Sequence, residues 1–175
     1  MGDVFREQIV ARTQTAKDTA IKLCMWVLVV LIGVGVLMYF PGFALIIVVL
    51  LGVGAKFLQG YLNVEYEYIF TNGELDIDVI YDKSRRKRLF SGSVKSFEIM
   101  AHTGDRNHER AFSAAQETRD YSAGTPNENT YAFLTAYNGK KVKVIIEPNE
   151  KMLKAFSGAL TGRILHLSPS HSGRL

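Results

Sequence analysis

Hydrophobic and polar positions fall into three regimes along the chain. The middle one is the simplest. From Leu23 to Ala55 no charged residue occurs in 33 consecutive positions, and most are Val, Leu, Ile, Gly or Phe. A run of ~18 or more uncharged apolar residues reads as membrane-spanning. As one helix this run would extend about 50 Å, against a hydrocarbon core of about 30 Å. Phe40-Pro41-Gly42 supplies a break. Proline removes a backbone donor and disfavours helix at the residue before it, and glycine permits a tight turn. The pattern predicts a transmembrane helical hairpin over residues 23–62, turning at 41–42. Its first span lies near 20–40 and its second near 43–62, with Lys22 and Lys56 reaching back to the interface. A single kinked or tilted helix is the alternative.

Before the run, Val4, Phe5, Ile9, Ala16, Ala20 and Ile21 recur at roughly helical spacing with charges between them. Residues 1–22 are predicted as a cytoplasmic helix leading into the first span.

After Asn63 the period changes to two. Tyr66, Tyr68 and Phe70 alternate with Glu65 and Glu67, and Asn72-Gly73 is a two-residue hairpin signal. Leu75, Ile77, Val79 and Tyr81 then alternate with Glu74, Asp76 and Asp78. The acids are expected on a solvent face and the apolar residues on a buried one. Further strands are expected at Arg85–Phe90 and Val94–Ala101. A second hairpin is expected at Thr130–Tyr137 and Lys140–Glu147, turning at Asn138-Gly139. Residues 102–129 are polar and aperiodic, and read as a long loop with room for a short strand or helical turn near Arg110–Glu117. Asn149 can cap a closing helix carrying Met152, Leu153, Phe156 and Leu160, whose register continues to Ile164 and Leu167. Residues 168–175 are predicted as a flexible tail.

Meandering antiparallel strands followed by one amphipathic helix is the order of a pleckstrin-homology-like (PH-like) barrel. The stretch Tyr66–Tyr81, the basic stretch Lys83–Arg88 and Ser93–Ile99 resemble bacterial membrane-anchored PH-like proteins, in which a helical hairpin commonly precedes the domain. The resemblance covers about residues 20–160. It implies an α+β fold: a two-helix transmembrane hairpin, then a PH-like antiparallel β-barrel or sandwich over residues 63–167, closed by a C-terminal helix. Six strands are clear where seven are expected, so the seventh would lie inside loop 102–129. The resemblance implies no activity.

Composition and charge add orientation. Net charge is +4, a mild excess that makes no case for nucleic acid, and none is expected as a partner. Arg6, Arg12, Lys17 and Lys22 precede the first span, Lys56 and the Lys83–Arg88 cluster follow the second, and the turn has no basic residue. The positive-inside rule puts both termini in the cytoplasm, in a multi-pass protein of the cell (inner) membrane. The apolar run starts too late and is too long for a cleaved signal peptide. Cys24, the single cysteine, allows no internal disulfide and reads as a small buried apolar residue. Leu31–Gly35 and Leu50–Gly54 carry a common Gly-Val-Gly motif, read as helix self-packing within the hairpin.

Candidate chemistry is sparse. Lys83-Ser-Arg-Arg-Lys-Arg88 places five basic residues in six. Lys83, Arg85, Arg86, Lys87 and Arg88 are the candidate contacts for anionic lipid headgroups or a protein partner, each cation near an anionic leaflet contributing ~1 kcal/mol. A solvated hairpin is the plainer reading of the same residues. His102 and His108 with Asp105 and Glu109 match no metal-ligand spacing, and are expected to be exposed and unpaired. No nucleophile elbow, P-loop or Cys/His arrangement occurs, so no catalytic, cofactor or metal residue is assigned. The expected function is noncatalytic. The protein would be a membrane-anchored binding or scaffold protein that presents its domain to the cytoplasm, with a protein partner that the sequence does not identify. The alternative is an accessory structural subunit of a larger membrane complex.

Overall fold

The computed structural model describes residues 4–160 and 165–166. The predicted tail, 168–175, lies outside the described residues. Two long helices, α1 (Ala16–Tyr39) and α2 (Pro41–Gly60), form the expected hairpin. Phe40 leaves helical geometry at φ −137°, and Pro41 opens α2, where its missing N–H costs nothing. Both helices are long and apolar enough to cross a membrane. Their apolar surface is not core: Leu28, Leu31, Leu37, Leu45, Leu50 and Val53 are each more than half exposed. Cys24 is exposed on α1, not buried.

The first departure from expectation precedes the hairpin. Residues 5–11 form a strand, β1 (Phe5–Ala11), and not a helix. β1 pairs antiparallel with β2 (Val64–Thr71), from Phe5 opposite Thr71 to Ala11 opposite Glu65. Seven residues are too few to distinguish period 2 from 3.6, and pairing across the hairpin overrides local helix propensity. The hairpin is therefore an insertion between two neighbouring strands of one sheet.

That sheet continues through β3 (Glu74–Tyr81) and β4 (Arg85–Ser93) in the order β1-β2-β3-β4. The turns at Asn72-Gly73 and Asn138-Gly139 have positive φ at both central residues, as type I′ hairpins require. The second sheet has the order β6-β8-β7-β5-β9, with β5 (Phe97–His102), β6 (Glu117–Asp120), β7 (Tyr131–Tyr137), β8 (Lys140–Ile146) and β9 (Leu165–His166). Residues 94–96 form a single 3-10 turn in place of the start of a strand. Loop 102–129 contains the anticipated extra strand, β6, after a short helix, α3 (Glu109–Phe112).

The core lies between the sheets. Phe97 stacks on Phe133 with ring centroids 3.9 Å apart, and Phe90 meets Phe133 edge-on. The closing helix α4 (Glu150–Ala159) starts where expected: the Asn149 side chain accepts from Met152 N–H at 2.9 Å. Met152, Leu153, Phe156 and Leu160 are buried, with Phe156 against Phe70. The helix stops at Ala159, and Leu165–His166 run parallel to β5 instead of extending it. Gly158 weakens helix continuation at that point. Ile164 and Leu167 lie outside the described residues.

Candidate functional site

The five predicted basic residues do not converge. Lys83 sits in the β3–β4 turn, where Asp82 and Lys83 both have left-handed φ (48° and 55°). Arg85 lies over the Phe57 ring at 4.2 Å and the Tyr61 ring at 5.1 Å, and donates to the Tyr61 hydroxyl. Arg86 pairs with Glu67 at 3.0 Å. Arg88 pairs with Asp76 at 2.7 Å and with Asp78. Lys87 is exposed and, like Lys83, makes no ion pair among the described residues. Strand alternation sends Arg86 and Arg88 to the same outer face as the acids of β2 and β3, and the sheet neutralises them there.

Those acids differ from expectation. Glu67 and Asp78, directly opposite each other, are only 1% and 4% exposed. They sit on the outward face but at the middle of a four-stranded sheet. The arginine stems from β4 cover them, and β1 places Ile9 beside Glu67. The fourth strand was the part that sequence pattern missed. Burial holds the Glu67 carboxyl above the usual range, outweighing the opposing pull of Arg86, and Glu7 and Asp78 add to the rise. Glu67 Oε2 has no hydrogen-bond partner among the described residues.

The junction of hairpin and domain is more constructed than the basic run suggests. Thr15 and Asp18 form a capping box at the start of α1. Asp18 N–H donates to Thr15 Oγ1 at 3.3 Å, and Thr15 N–H donates to Asp18 Oδ2 at 2.9 Å. Its signature, Thr-x-x-Asp before an apolar run, is legible in the sequence and dates the helix start to residue 16. Asn63 is a hub. Its Oδ1 accepts from Lys22 Nζ at 3.1 Å and from Gln14 Nε2 at 3.1 Å, and its Nδ2 donates to Asp82 Oδ1 at 3.3 Å. Gly60 packs so closely on Asp82 that a Cβ there would lie 3.2 Å from its side chain. Beside this hub is a cavity of about 590 Å³ lined by Arg12, Gln14, Thr15, Tyr66, Asp120 and Ser122 among others. Thr13 N–H donates to Ala123 C=O at 2.8 Å, which ties the loop after β6 to the same junction.

The loop histidines are bonded rather than unpaired. His108 Nδ1 lies 2.9 Å from Asp105 Oδ2. His102 Nδ1 accepts from Gly104 N–H at 3.0 Å, and its Nε2 lies 3.2 Å from Asn127 C=O. Both shape the loop. Among the described residues no three His, Cys, Asp or Glu side chains gather as a metal-binding set. Within the hairpin, only Gly33 among the motif glycines packs on the partner helix: a Cβ there would lie 3.0 Å from Val48 Cγ2, whereas Gly35, Gly52 and Gly54 meet nothing.

One antiparallel sheet and one mixed sheet around one aromatic core, closed by a C-terminal helix and interrupted by an apolar hairpin between the first two strands, define a PH-like domain with a built-in helical pair. The chain belongs to the family described as Bacterial PH-like domain (DUF6106), whose model matches residues 2–165. The match includes β1 and the hairpin, so the insertion is part of the family's own plan. No curated protein and no solved structure matches the chain.

Proposed function

We propose that the protein is a noncatalytic, membrane-anchored scaffold whose hairpin crosses the bacterial inner membrane twice and fixes the PH-like domain against the cytoplasmic leaflet. One observation carries this reading: β1 and β2 flank the 33-residue uncharged run and pair along their whole length. An even number of crossings is then required, because both strands belong to one sheet. Cleavage after α1, as of a signal peptide, would cut away an edge strand of the domain. Arg12, Lys17, Lys22, Lys56, Lys83 and Arg85 lie on the domain side of the hairpin and none lies at its turn, which favours the cytoplasm for the domain and both termini. Lys83 and Lys87 are the cations left for anionic headgroups. The buried acids Glu67 and Asp78 hold Arg86 and Arg88 in a sheet face.

The hub at Asn63 gives the anchor a purpose beyond tethering. A flexible linker would let the domain tumble, whereas these contacts set its orientation to the hairpin. A second reading, an accessory subunit of a larger membrane complex, draws support from Gly35, Gly52 and Gly54, which leave the hairpin's outer surface open to close helix approach.

Topology tests the proposal. In a Cys24→Ala background, single cysteines at Gly42 and at Asn138 are treated with an impermeant thiol reagent in spheroplasts. The expected result is labelling of the turn from outside and of Asn138 only after lysis. A turn labelled only from the cytoplasmic side overturns the proposal.

A further inference from the structure

In the basic cluster most conspicuous in the sequence Arg86 and Arg88 are ion-paired, whereas a second group of cations, absent from any sequence run, makes no ion pair among the described residues. At the end of the domain far from the hairpin, a groove of about 780 Å³ runs between α4 and the β2–β3 turn. Its apolar lining includes Phe70, Ala155 and Ala159. Four cations from three separate parts of the chain surround it: Arg6 of β1, Lys95 of the 3-10 turn, and Lys151 and Lys154 of α4. No described acidic residue lines the groove, and none of the four makes an ion pair among the described residues. Lys151 and Lys154 are three apart and share a helix face, so their like charges repel. The size suits one or two anchoring side chains.

We infer that this groove binds an acidic segment of a protein partner, with an apolar side chain seated against Val4, Ala155 and Ala159 and carboxylates on the lysines. Charge complementarity selects the occupant: four cations without an ion pair among the described residues, around an apolar lining, call for a ligand both anionic and apolar. Location selects a protein over a lipid. The eight residues of β2 carry the chain about 26 Å from the end of α2 to the groove, beyond the Debye length of about 8 Å over which the leaflet's charge acts. The inference deepens the scaffold reading and rests on it, since the groove would face the cytoplasm.

The test uses the full chain in nanodiscs, with a library of random seven-residue peptides displayed on phage. Selected peptides are expected to be rich in Asp and Glu with one aromatic or Leu. Their affinity is expected to fall about tenfold or more in a Lys151→Glu/Lys154→Glu variant and to hold in Lys83→Glu/Lys87→Glu. Both lysines of α4 are exposed and the helix cap is untouched, so folding is retained, as a thermal melt verifies. Selection without acidic enrichment, binding unchanged by the α4 substitutions, or equal loss in both variants overturns the inference. So does capture of phosphatidylglycerol vesicles that depends on Lys151 and Lys154, which would make the groove a lipid contact. Cysteine labelling reports the membrane reading separately, so failure of either is recognised by itself.

Discussion

Lys22, in the second turn of the first apolar helix, donates to the Asn63 side chain that follows the second, at 3.1 Å across 41 residues of sequence. The bond turns the last charge before the uncharged run toward the domain. It also joins both helix ends to the β3–β4 turn through one amide. Asn63→Ala removes three side-chain hydrogen bonds of a half-exposed group. It is expected to lower stability by about 1–2 kcal/mol. A readout specific to the hub is the distance distribution between spin labels in the hairpin turn and at Asn138. It should broaden in the variant and stay narrow in the wild type. An unchanged distribution would show that the backbone bonds alone set the orientation.

Glu67 gives a pH dependence whose sign differs from the usual carboxylate. Its folded pKa lies above the unfolded value because burial penalises the charge. The protonated form is then favoured by folding. Its contribution is fully present below the unfolded pKa and is lost as pH rises through the folded one. Glu67→Gln removes that loss. Chemical denaturation should find the variant gaining on wild type as pH rises from the ordinary glutamate range upward. A variant equally destabilised throughout would show that the Arg86 pair outweighs desolvation.

Much of this fold is legible in the sequence because local signals and burial agree. Asn72-Gly73, Asn138-Gly139, the Asn149 cap and the stripe Met152, Leu153, Phe156, Leu160 all lie where pattern puts them. The failures share a cause. Phe5–Ala11 becomes a strand only because β2 accepts it from beyond the hairpin, and that fourth strand in turn covers Glu67 on one side. Arg86 and Arg88 look free in a basic run, yet their partners lie in neighbouring strands. The distal groove draws on positions 6, 95, 151 and 154, which no window along the chain brings together.

Tyr68 is the polar point inside the core. Its hydroxyl donates to Tyr121 C=O and accepts from Glu147 N–H at 3.2 Å, joining β2 to the ends of β6 and β8. Burial pushes the phenol well above its ordinary range, so it stays a neutral donor. Tyr68→Phe keeps the ring but leaves both backbone groups unsatisfied. A loss of about 1–3 kcal/mol is expected in equilibrium unfolding. A neutral result would mean that water reaches the vacated position.

Gly33 and Gly35 separate packing within the hairpin from packing outside it. A Cβ at Gly33 meets Val48 at 3.0 Å, whereas at Gly35 it meets nothing. Gly33→Leu should therefore push the helices apart and lower the melting temperature of the chain in nanodiscs. Gly35→Leu should leave that melt unchanged if the hairpin stands alone. If the hairpin belongs to a larger assembly through its open glycine surface, Gly35→Leu should instead release the partner in a mild-detergent pulldown while the isolated chain melts as before. That pair of results would favour the accessory-subunit reading, because a scaffold anchored only by lipid has no use for close approach at Gly35.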